Sequence, residues 1–218
     1  MIKRKNILKI AIDSPAAAGA GTLAKALSKH YNLFYLDTGK IYRYIGWLRL
    51  KFNDKITYKL VKKKIAVLKI KNLLDKKLLS DDVAVSAAIV ARDKKVRDIV
   101  HKYQQKCAYN PPKKYFGSVL DGRDIATVQV KDAMFKFYIT AAIKVRAKRR
   151  YDEYKALNKQ ISFKDVLKSI KNRDKSDRNR KYGPLKKAKD SILINTTKLS
   201  KKSCFIKIKR IMDNKLKN

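Results

Sequence analysis

The segment from residue 10 to residue 22 constrains the fold of this chain more than any other. Ile10, Ala11 and Ile12 predict a short buried strand, and a loop of very small residues leads from it into a helix over about 21–29. A strand, a tight turn and a helix N-terminus can together bind phosphate, because the free amides of the first helical turn face an anion. A turn rich in alanine and glycine also suits plain packing, so the segment alone leaves both interpretations open.

The loop departs from the usual sequence of phosphate-binding loops, G-x-x-x-x-G-K-[ST]. Ser14 occupies the first glycine position and Gly19 the second, and Ala20 stands where a lysine is usual. Gly21 then precedes Thr22, whose hydroxyl is suited to binding Mg²⁺. Taken alone, this is a damaged motif.

Three polar blocks farther along the chain decide between the two interpretations. D-T-G-K-I-Y-R at 37–43 follows an apolar strand predicted at 33–36, and D-G-R-D at 121–124 follows another predicted at 115–120. The third block, R-D-K-S-D-R-N-R, lies at 173–180. Because ligands of open α/β sheets collect at the carboxyl ends of the strands, the first two blocks are expected to border the phosphate loop.

In this order, the blocks D-T-G-x-x-Y-R, D-G-R-D and R-D-x-x-D-R-N-R resemble those of the bacterial cytidylate kinase family, within the nucleoside monophosphate kinases. The resemblance covers about 7–200. It implies a P-loop nucleoside monophosphate kinase-like α/β fold, a five-stranded parallel sheet flanked by helices. It also implies ATP-dependent phosphorylation of CMP and dCMP, with ATP and Mg²⁺ bound. The implied parts are a core (1–38, 103–145 and 183–218), a monophosphate-binding insert (39–102) and a lid (146–182).

On the acceptor side, the resemblance implies contacts with each part of the nucleotide. Forked guanidinium donors suit phosphate oxygens, and a carboxylate can accept a hydrogen bond from the amino group of cytosine. The implied residues are Arg43, Arg123 and Arg180 for the α-phosphate, Arg97 and Asp124 for the base, Arg173 and Asp177 for the pentose, and Thr38 close to the nucleotide.

Each of these residues has an ordinary alternative when its motif is ignored. An isolated arginine is usually a solvated surface charge, and a short polar residue often caps a helix. Asp124 could also simply pair with the adjacent Arg123. A serine of the family aligns with Ala88, whereas the nearest serine here is Ser86, so this base contact stays open.

On the donor side, the resemblance assigns ATP to the loop and to the start of the lid. Arg146 and Arg150 would meet the donor phosphates when the lid closes and excludes water, although both also suit a solvated basic helix face. The loop residues are Ser14, Ala16, Ala17, Ala18, Gly19, Ala20, Gly21 and Thr22, with Thr22 as the metal ligand.

Ala20 in place of the lysine leaves two hypotheses. Either another cation supplies the charge, or the chain is a catalytically impaired kinase-like protein that binds nucleotide or RNA. Lys25 lies about 140° around the helix from Ala20, on another face. Lys40, at the acceptor edge of the sheet, is better placed to reach the phosphates. A third alternative is a monophosphate kinase with shifted base preference.

The composition excludes some functions and weakens others. A formal net charge of +38 invites a nucleic-acid interpretation, but the basic residues form no single dense arm, so nucleic acid is not expected as the main partner. No stretch of about 18 apolar residues is present to cross a membrane. Two unpaired cysteines without metal-binding spacing indicate a reducing, cytoplasmic location. Family resemblance suggests a monomer.

Periodicity predicts the remaining elements. Strands are expected at 7–12, 65–70, 135–140 and 192–195, besides those at 33–36 and 115–120. Helices are expected at 81–91, from about 146 to 157, and at 163–173 and 197–215. Residues 174–183 have the polar composition of a mobile segment. Strands that alternate with helices predict a parallel sheet with right-handed crossovers.

Overall fold

Five parallel strands form the central sheet of the molecule, which the computed structural model describes over residues 7–217. In chain order they are β1 (Leu8–Asp13), β2 (Leu33–Asp37), β3 (Gly117–Gly122), β4 (Phe135–Thr140) and β5 (Ile192–Asn195). Across the sheet the order is β2-β3-β1-β4-β5. The α/β fold class expected from the sequence is therefore confirmed. Residues 1–6 and 218 of the expected core lie outside the described part.

Helices cover both faces of this sheet. In residues 7–217 they are α1 (Ala20–His30), α2 (Thr38–Lys51), α3 (Tyr58–Ala66), α4 (Asp81–Val90), α5 (Lys94–Tyr109), α6 (Ile143–Ala156), α7 (Phe163–Asn179) and α8 (Lys201–Lys217). Two 3-10 turns, Ile70–Leu74 and Lys76–Leu79, precede α4, and a π-helical turn, Ile125–Gln129, follows β3. None of the helices in the described residues is long and apolar enough to cross a membrane.

The central strand β1 is buried on both faces, as a strand inside a parallel sheet must be. Ile10, Ala11 and Ile12 are at most 1% exposed. Because side chains alternate along a strand, Ala11 packs into one apolar cluster with Leu36, whereas Ile10 and Ile12 pack into the other with Phe137. The two clusters join the sheet to its two helical layers.

The carboxyl ends of the strands form a crevice beside β1. β1 and β4 lie side by side, but the chain continues from β1 to β2 and from β4 to β5, on opposite sides of that pair. Such a reversal opens a gap between the outgoing connections, where ligands of α/β sheets bind. The small-residue loop at 14–19 lies at this point.

The prediction of a strand at 65–70 is wrong, because these residues cover the end of helix α3 and the start of a 3-10 turn. Val61 and Ile65 both face the core, and their spacing of four residues follows the period of helix α3. Thr57 caps this helix through a bond from the Leu60 amide to its hydroxyl at 3.2 Å. Ile70 then begins a 3-10 turn. The short apolar run suited either secondary structure, and the cap and tertiary packing favoured the helix.

The expected end of α7 at residue 173 is also wrong, because the helix continues to Asn179. Asp174 is buried and accepts a hydrogen bond from Arg146 of α6 at 2.7 Å. This ion pair holds the polar continuation of α7 against its neighbour. The segment 174–179 is therefore helical, and irregular chain begins at Arg180.

The other boundaries differ by a few residues. β4 and β5 coincide with the expected strands at 135–140 and 192–195. β3 begins later than expected and carries Asp121 and Gly122 within the strand. The last helix begins at Lys201 because the Ser200 hydroxyl accepts from the Ser203 amide at 3.0 Å, as a helix cap does.

Helices α2 and α4 of the segment 39–102 pack at unusually close range. A Cβ on Gly46 of α2 would lie only 2.6 Å from the backbone nitrogen of Ala87 in α4. The Ser86 hydroxyl also donates to the Gly46 carbonyl at 3.1 Å. A residue without a side chain is therefore what allows these two helices to touch.

We expect Gly46→Ala to lower the free energy of unfolding by about 1–3 kcal/mol, because the added methyl forces the two helices apart. Urea denaturation measures the change. Gly21→Ala in α1 is the control, since its Cβ would lie 3.4 Å from Asp121 Oδ2, an ordinary contact. Equal destabilisation by both substitutions would contradict the packing argument.

Candidate active site

The loop between β1 and α1 presents its backbone amides to the crevice. Ala17 and Gly19 have positive φ angles of 59° and 95°. Gly19 precedes α1 without a side-chain cap, and the first turn of that helix has no acidic residue. The amides of this turn are consequently available to an anion. A non-glycine residue at positive φ, such as Ala17, stores strain of about 1 kcal/mol or more, as functional loops often do.

Side chains outside the loop hold its carbonyl groups. Arg146 donates to the Ala16 carbonyl at 3.1 Å, and the Thr196 hydroxyl, just after β5, donates to the Ala18 carbonyl at 3.0 Å. Arg149 lies 3.4 Å from the same Ala18 carbonyl. Because these side chains bind the loop carbonyls, the backbone conformation of the loop is held in place before any ligand binds. The sequence did not single out Arg149 or Thr196, because neither belongs to the loop motif.

Ala20 is an apolar core residue as well as a loop residue. It is 4% exposed and packs in the same cluster as Leu23 and Ala24. Gly21 lies against Asp121, and the side chain of Thr22 is exposed at the start of α1. The Ser14 amide donates to the Gly122 carbonyl at 3.2 Å, which joins the loop to β3.

The two lid arginines expected at the donor differ in their environment. Arg146 is 4% exposed and also donates to the Ala141 carbonyl and to Asp174, so its guanidinium joins α6 and α7 to the loop. Arg150 is half-buried and donates to Glu153 at 3.0 Å. A groove of about 490 Å³ runs along the contact between the start of α6 and α7. It is lined by Ile143, Arg146, Lys171, Asp174, Lys175, Arg178 and Asn179.

On the other side of the crevice, four arginines from separate elements crowd together. They are Arg43 on α2, Arg123 after β3, Arg150 on α6 and Arg173 on α7. Loss of hydration, followed by the charge of Arg123, lowers the pKa of Arg173 to about 10. Burial and the charge of Arg150 likewise lower the pKa of Arg43. Positive side chains held this close together form a site for an anion.

Asp177 partly neutralises this cluster. Its carboxylate accepts from Arg123 at 2.8 Å and lies 3.9 Å from Arg173 and 3.7 Å from Arg180. Although burial opposes ionisation, the charges of Arg123, Arg173 and Arg180 together outweigh it and lower the pKa of Asp177. Arg43 donates to the Leu78 carbonyl at 2.8 Å, so it too has a protein partner.

A buried ion pair lies next to the cluster. Arg97 of α5 donates to Asp124, and the two residues are 6% and 5% exposed. Arg180 approaches the other carboxylate oxygen of Asp124 at 3.6 Å. The hydroxyl of Tyr42 is buried nearby without a hydrogen-bond partner. Asp124 therefore pairs with Arg97, not with the adjacent Arg123.

The main chain after α7 closes over this pair. Gly183 has a φ of 55°, and a Cβ built on it would overlap the Arg97 guanidinium and the Asp124 carboxylate. Its carbonyl accepts from Arg180 Nε at 2.6 Å. Only a residue without a side chain fits this position and this backbone conformation. No motif in the sequence marks Gly183 as a site residue.

Asp37 and Asp121 place two carboxylates beside the start of α1. Burial and the charge of Asp37 raise the pKa of Asp121 to about 8, and its Oδ1 has no hydrogen-bond partner. A divalent cation would satisfy this oxygen, and the Thr22 hydroxyl suits the same ion. No group of three His, Cys, Asp or Glu side chains that could hold a metal occurs in residues 7–217. These residues thus fit a cation that the phosphates of a nucleotide help to hold.

The D-T-G block surrounds these carboxylates. Asp37 caps α2 by accepting from the Lys40 amide at 3.3 Å, so the alternative of Thr38 as the cap is wrong. The Thr38 hydroxyl donates instead to the Asp121 carbonyl at 2.7 Å. The Lys40 ammonium forms no hydrogen bond or ion pair with the described residues. The charge of Lys25, in contrast, acts on Asp121, because a long side chain can reach around its helix.

Residues 10–214 match the family model described as Cytidylate kinase. The chain belongs to the cytidylate kinase family. A cytidylate kinase of Clostridium botulinum is 41% identical over 201 residues, 87% of this chain and 90% of the relative. One of Thermosipho melanesiensis is 36% identical over 219 residues, 96% of this chain and 98% of the relative. An uncharacterized protein from Eubacterium ventriosum superposes with a TM-score of 0.53 and 17% identity over 94% of this chain and 98% of its own, which shows the fold alone.

Family membership confirms the resemblance found in the three polar blocks. In this member of the cytidylate kinase family, the fold brings the three blocks at 37–43, 121–124 and 173–180 together at the carboxyl edge of the sheet. Asp13, at the end of β1, strengthens this arrangement by accepting from the amides of Ile125 and Ala126 at 2.7 and 2.9 Å. Burial nevertheless raises the pKa of Asp13 to about 7.

We expect Asp13→Asn to change how stability depends on pH. Because the folded-state pKa exceeds that of the unfolded chain, the stability linked to Asp13 is present at acid pH and is lost as the pH rises towards 7. Between pH 5 and 7, the free energy of unfolding of the natural protein should fall relative to that of the variant by at most about 1.4 kcal/mol per pH unit. Urea denaturation at several pH values measures this, with Asp152→Asn on exposed α6 as the control. Parallel pH profiles for the natural protein and Asp13→Asn would contradict the assignment.

Proposed function

We propose that this chain is an ATP-dependent kinase that phosphorylates CMP and dCMP to the diphosphates. The observation that carries the proposal is the crowding of Arg43, Arg123, Arg150 and Arg173 opposite the phosphate loop. Two anion sites then face each other across one crevice. That is what transfer of a phosphoryl group between two nucleotides requires.

The loop and the arginines would share the charge of the reaction. Phosphoryl transfer depends on positioning and on neutralising the oxygens of the transferred group. The amides around Gly19–Thr22 hold the donor phosphates, and Arg43, Arg123 and Arg180 hold the acceptor's α-phosphate. With a phosphate bound, the repulsion among these arginines becomes attraction to the ligand. Mg²⁺, held by Thr22 and the carboxylates of Asp37 and Asp121, would neutralise the donor's phosphate oxygens when bound.

The pair Arg97–Asp124 is the proposed base site. An arginine donates to the ring nitrogen and carbonyl of cytosine, and a carboxylate accepts from its amino group. Uracil presents a carbonyl at that position and would face the carboxylate unfavourably. Arg173 and Asp177, on successive turns of α7, would then border the pentose.

Contacts between lid and insert support water exclusion during transfer. Asp81, at the start of α4, accepts from Tyr154 at 3.2 Å and from Lys159 at 2.8 Å. Arg92 donates to Ser176 of α7 at 2.9 Å. These contacts bring the lid onto the insert across the crevice. Closure strengthens electrostatic interactions inside the site and prevents hydrolysis of the donor.

The division into parts, the location and the oligomeric state belong to this proposal. The core (1–38, 103–145 and 183–218) carries the loop, the insert (39–102) carries Arg43 and Arg97, and the lid (146–182) carries Arg150 and Arg173. Two unpaired cysteines suit a cytoplasmic enzyme. One chain supplies both anion sites, so a monomer suffices.

The rival proposal, an impaired nucleotide- or RNA-binding protein, rests on the buried alanine at position 20 and the charge of +38. A coupled assay of the purified protein with Mg-ATP against CMP, dCMP, UMP and AMP separates the two. We expect turnover that is selective for CMP and dCMP. Absence of turnover, with RNA binding that weakens steeply as salt rises, would favour the rival.

We further propose that Lys40 supplies the charge that Ala20 lacks. Lys40→Ala should lower kcat by about 10²–10³, the usual effect of removing one preorganised charge donor. Lys25→Ala tests the competing lysine, and Lys29→Ala, at the exposed end of α1, is the control. An unchanged kcat in Lys40→Ala would refute the role of Lys40. Gain of activity only on adding Ala20→Lys would show that the site persists without its cation.

A further inference from the structure

Gln129 is a buried polar residue beside the proposed base site. It is 3% exposed, and its side-chain Nε2 donates to Asp124 Oδ2 at 3.2 Å. The π-helical turn Ile125–Gln129 explains this proximity, because its wide turn brings Gln129 back to Asp124, the residue just before the turn. The Asp124 carbonyl also accepts from the Gln129 amide at 3.2 Å. Backbone and side chain of Gln129 therefore both contact Asp124.

The orientation of the Gln129 amide follows from its partner. The carboxylate of Asp124 can only accept, so the nitrogen of the amide must face it. The other end, Oε1, is buried and has no hydrogen-bond partner. Leaving a buried acceptor unpaired is unfavourable to folding, and an apolar residue of the same size would avoid this. The unpaired Oε1 therefore offsets much of the stability that the bond to Asp124 contributes.

The bond from Gln129 fixes which edge of Asp124 is available. Oδ2 already accepts from Arg97 and Gln129, whereas Oδ1 accepts no hydrogen bond from the described residues. The nearest cation to Oδ1 is Arg180, at 3.6 Å. An arginine and a carboxylate tend to form two parallel hydrogen bonds, which would occupy both oxygens. Gln129 opposes that rotation by competing for Oδ2.

We propose that Gln129 is a positioning residue that sets base selectivity by holding Asp124 with Oδ1 free to accept from an amino group. The inference rests on the proposed function, since it requires that Arg97 and Asp124 contact the base. A fixed acceptor favours cytosine, which carries an amino group, over uracil, which carries a carbonyl. The side chain of Gln129 contributes without touching the nucleotide.

Gln129→Met tests this inference, because it keeps the volume and removes the donor. We expect the ratio of kcat/KM for CMP to that for UMP to fall about tenfold, the effect of one lost hydrogen bond to a charged group. The loss should come from a higher KM for CMP, with kcat changed by less than about threefold. Gln129→Leu, which also lacks the donor and adds no charge, should lower the ratio similarly.

Gln104→Met is the matched control. Gln104 is 1% exposed on α5, also with an unpartnered Oε1, and forms no hydrogen bond with Arg97 or Asp124. A ratio that Gln129→Met leaves unchanged, or that Gln104→Met lowers equally, would overturn the inference. If the natural protein itself shows no preference for CMP, the proposed function fails instead.

Discussion

Electrostatic repulsion within the crevice is the constraint on which the site depends. Four arginines lie close together there, and loss of hydration, helped by the charge of Arg123 on Arg173 and that of Arg150 on Arg43, lowers the pKa of Arg173 and of Arg43. Asp177 is the main compensating partner, held by Arg123 at 2.8 Å. The arrangement persists because each guanidinium is fixed by its own helix or strand end. An anionic ligand at this cluster would relieve the repulsion between its guanidinium groups.

The sequence was sufficient for the elements with a strong local signal. β4 and β5 lie where alternation placed them, and the D-T-G and D-G-R-D blocks meet at the sheet edge because parallel strands align their carboxyl ends. It failed at 65–70, where a short apolar run suits strand and helix alike. It also failed at the end of α7, because the buried partner of Asp174 lies on another helix.

The site residues that the sequence missed share one property. Arg149, Thr196 and Gln129 act through contacts that the local sequence does not mark: the first two reach elements distant in the chain, and Gln129 reaches Asp124 through a π-helical turn. The alternatives for Asp124 and Thr38 were decided by the same kind of contact. Position 20 illustrates the reverse case. Its departure from the usual motif is obvious in the sequence, whereas its burial among Leu23 and Ala24 required the structure.

The close contact at Gly183 has a consequence for the chemistry of the pocket wall. Main chain, not a side chain, faces Arg97 and Asp124 there, and its shape depends on the backbone path between α7 and β5. Substitutions at Lys181 or Tyr182 can alter the surface of this segment without altering that wall. A change in segment length would displace it entirely. The shape of the pocket at this point therefore depends on the length of the segment between α7 and β5. Insertions or deletions there would change that shape more than most point substitutions.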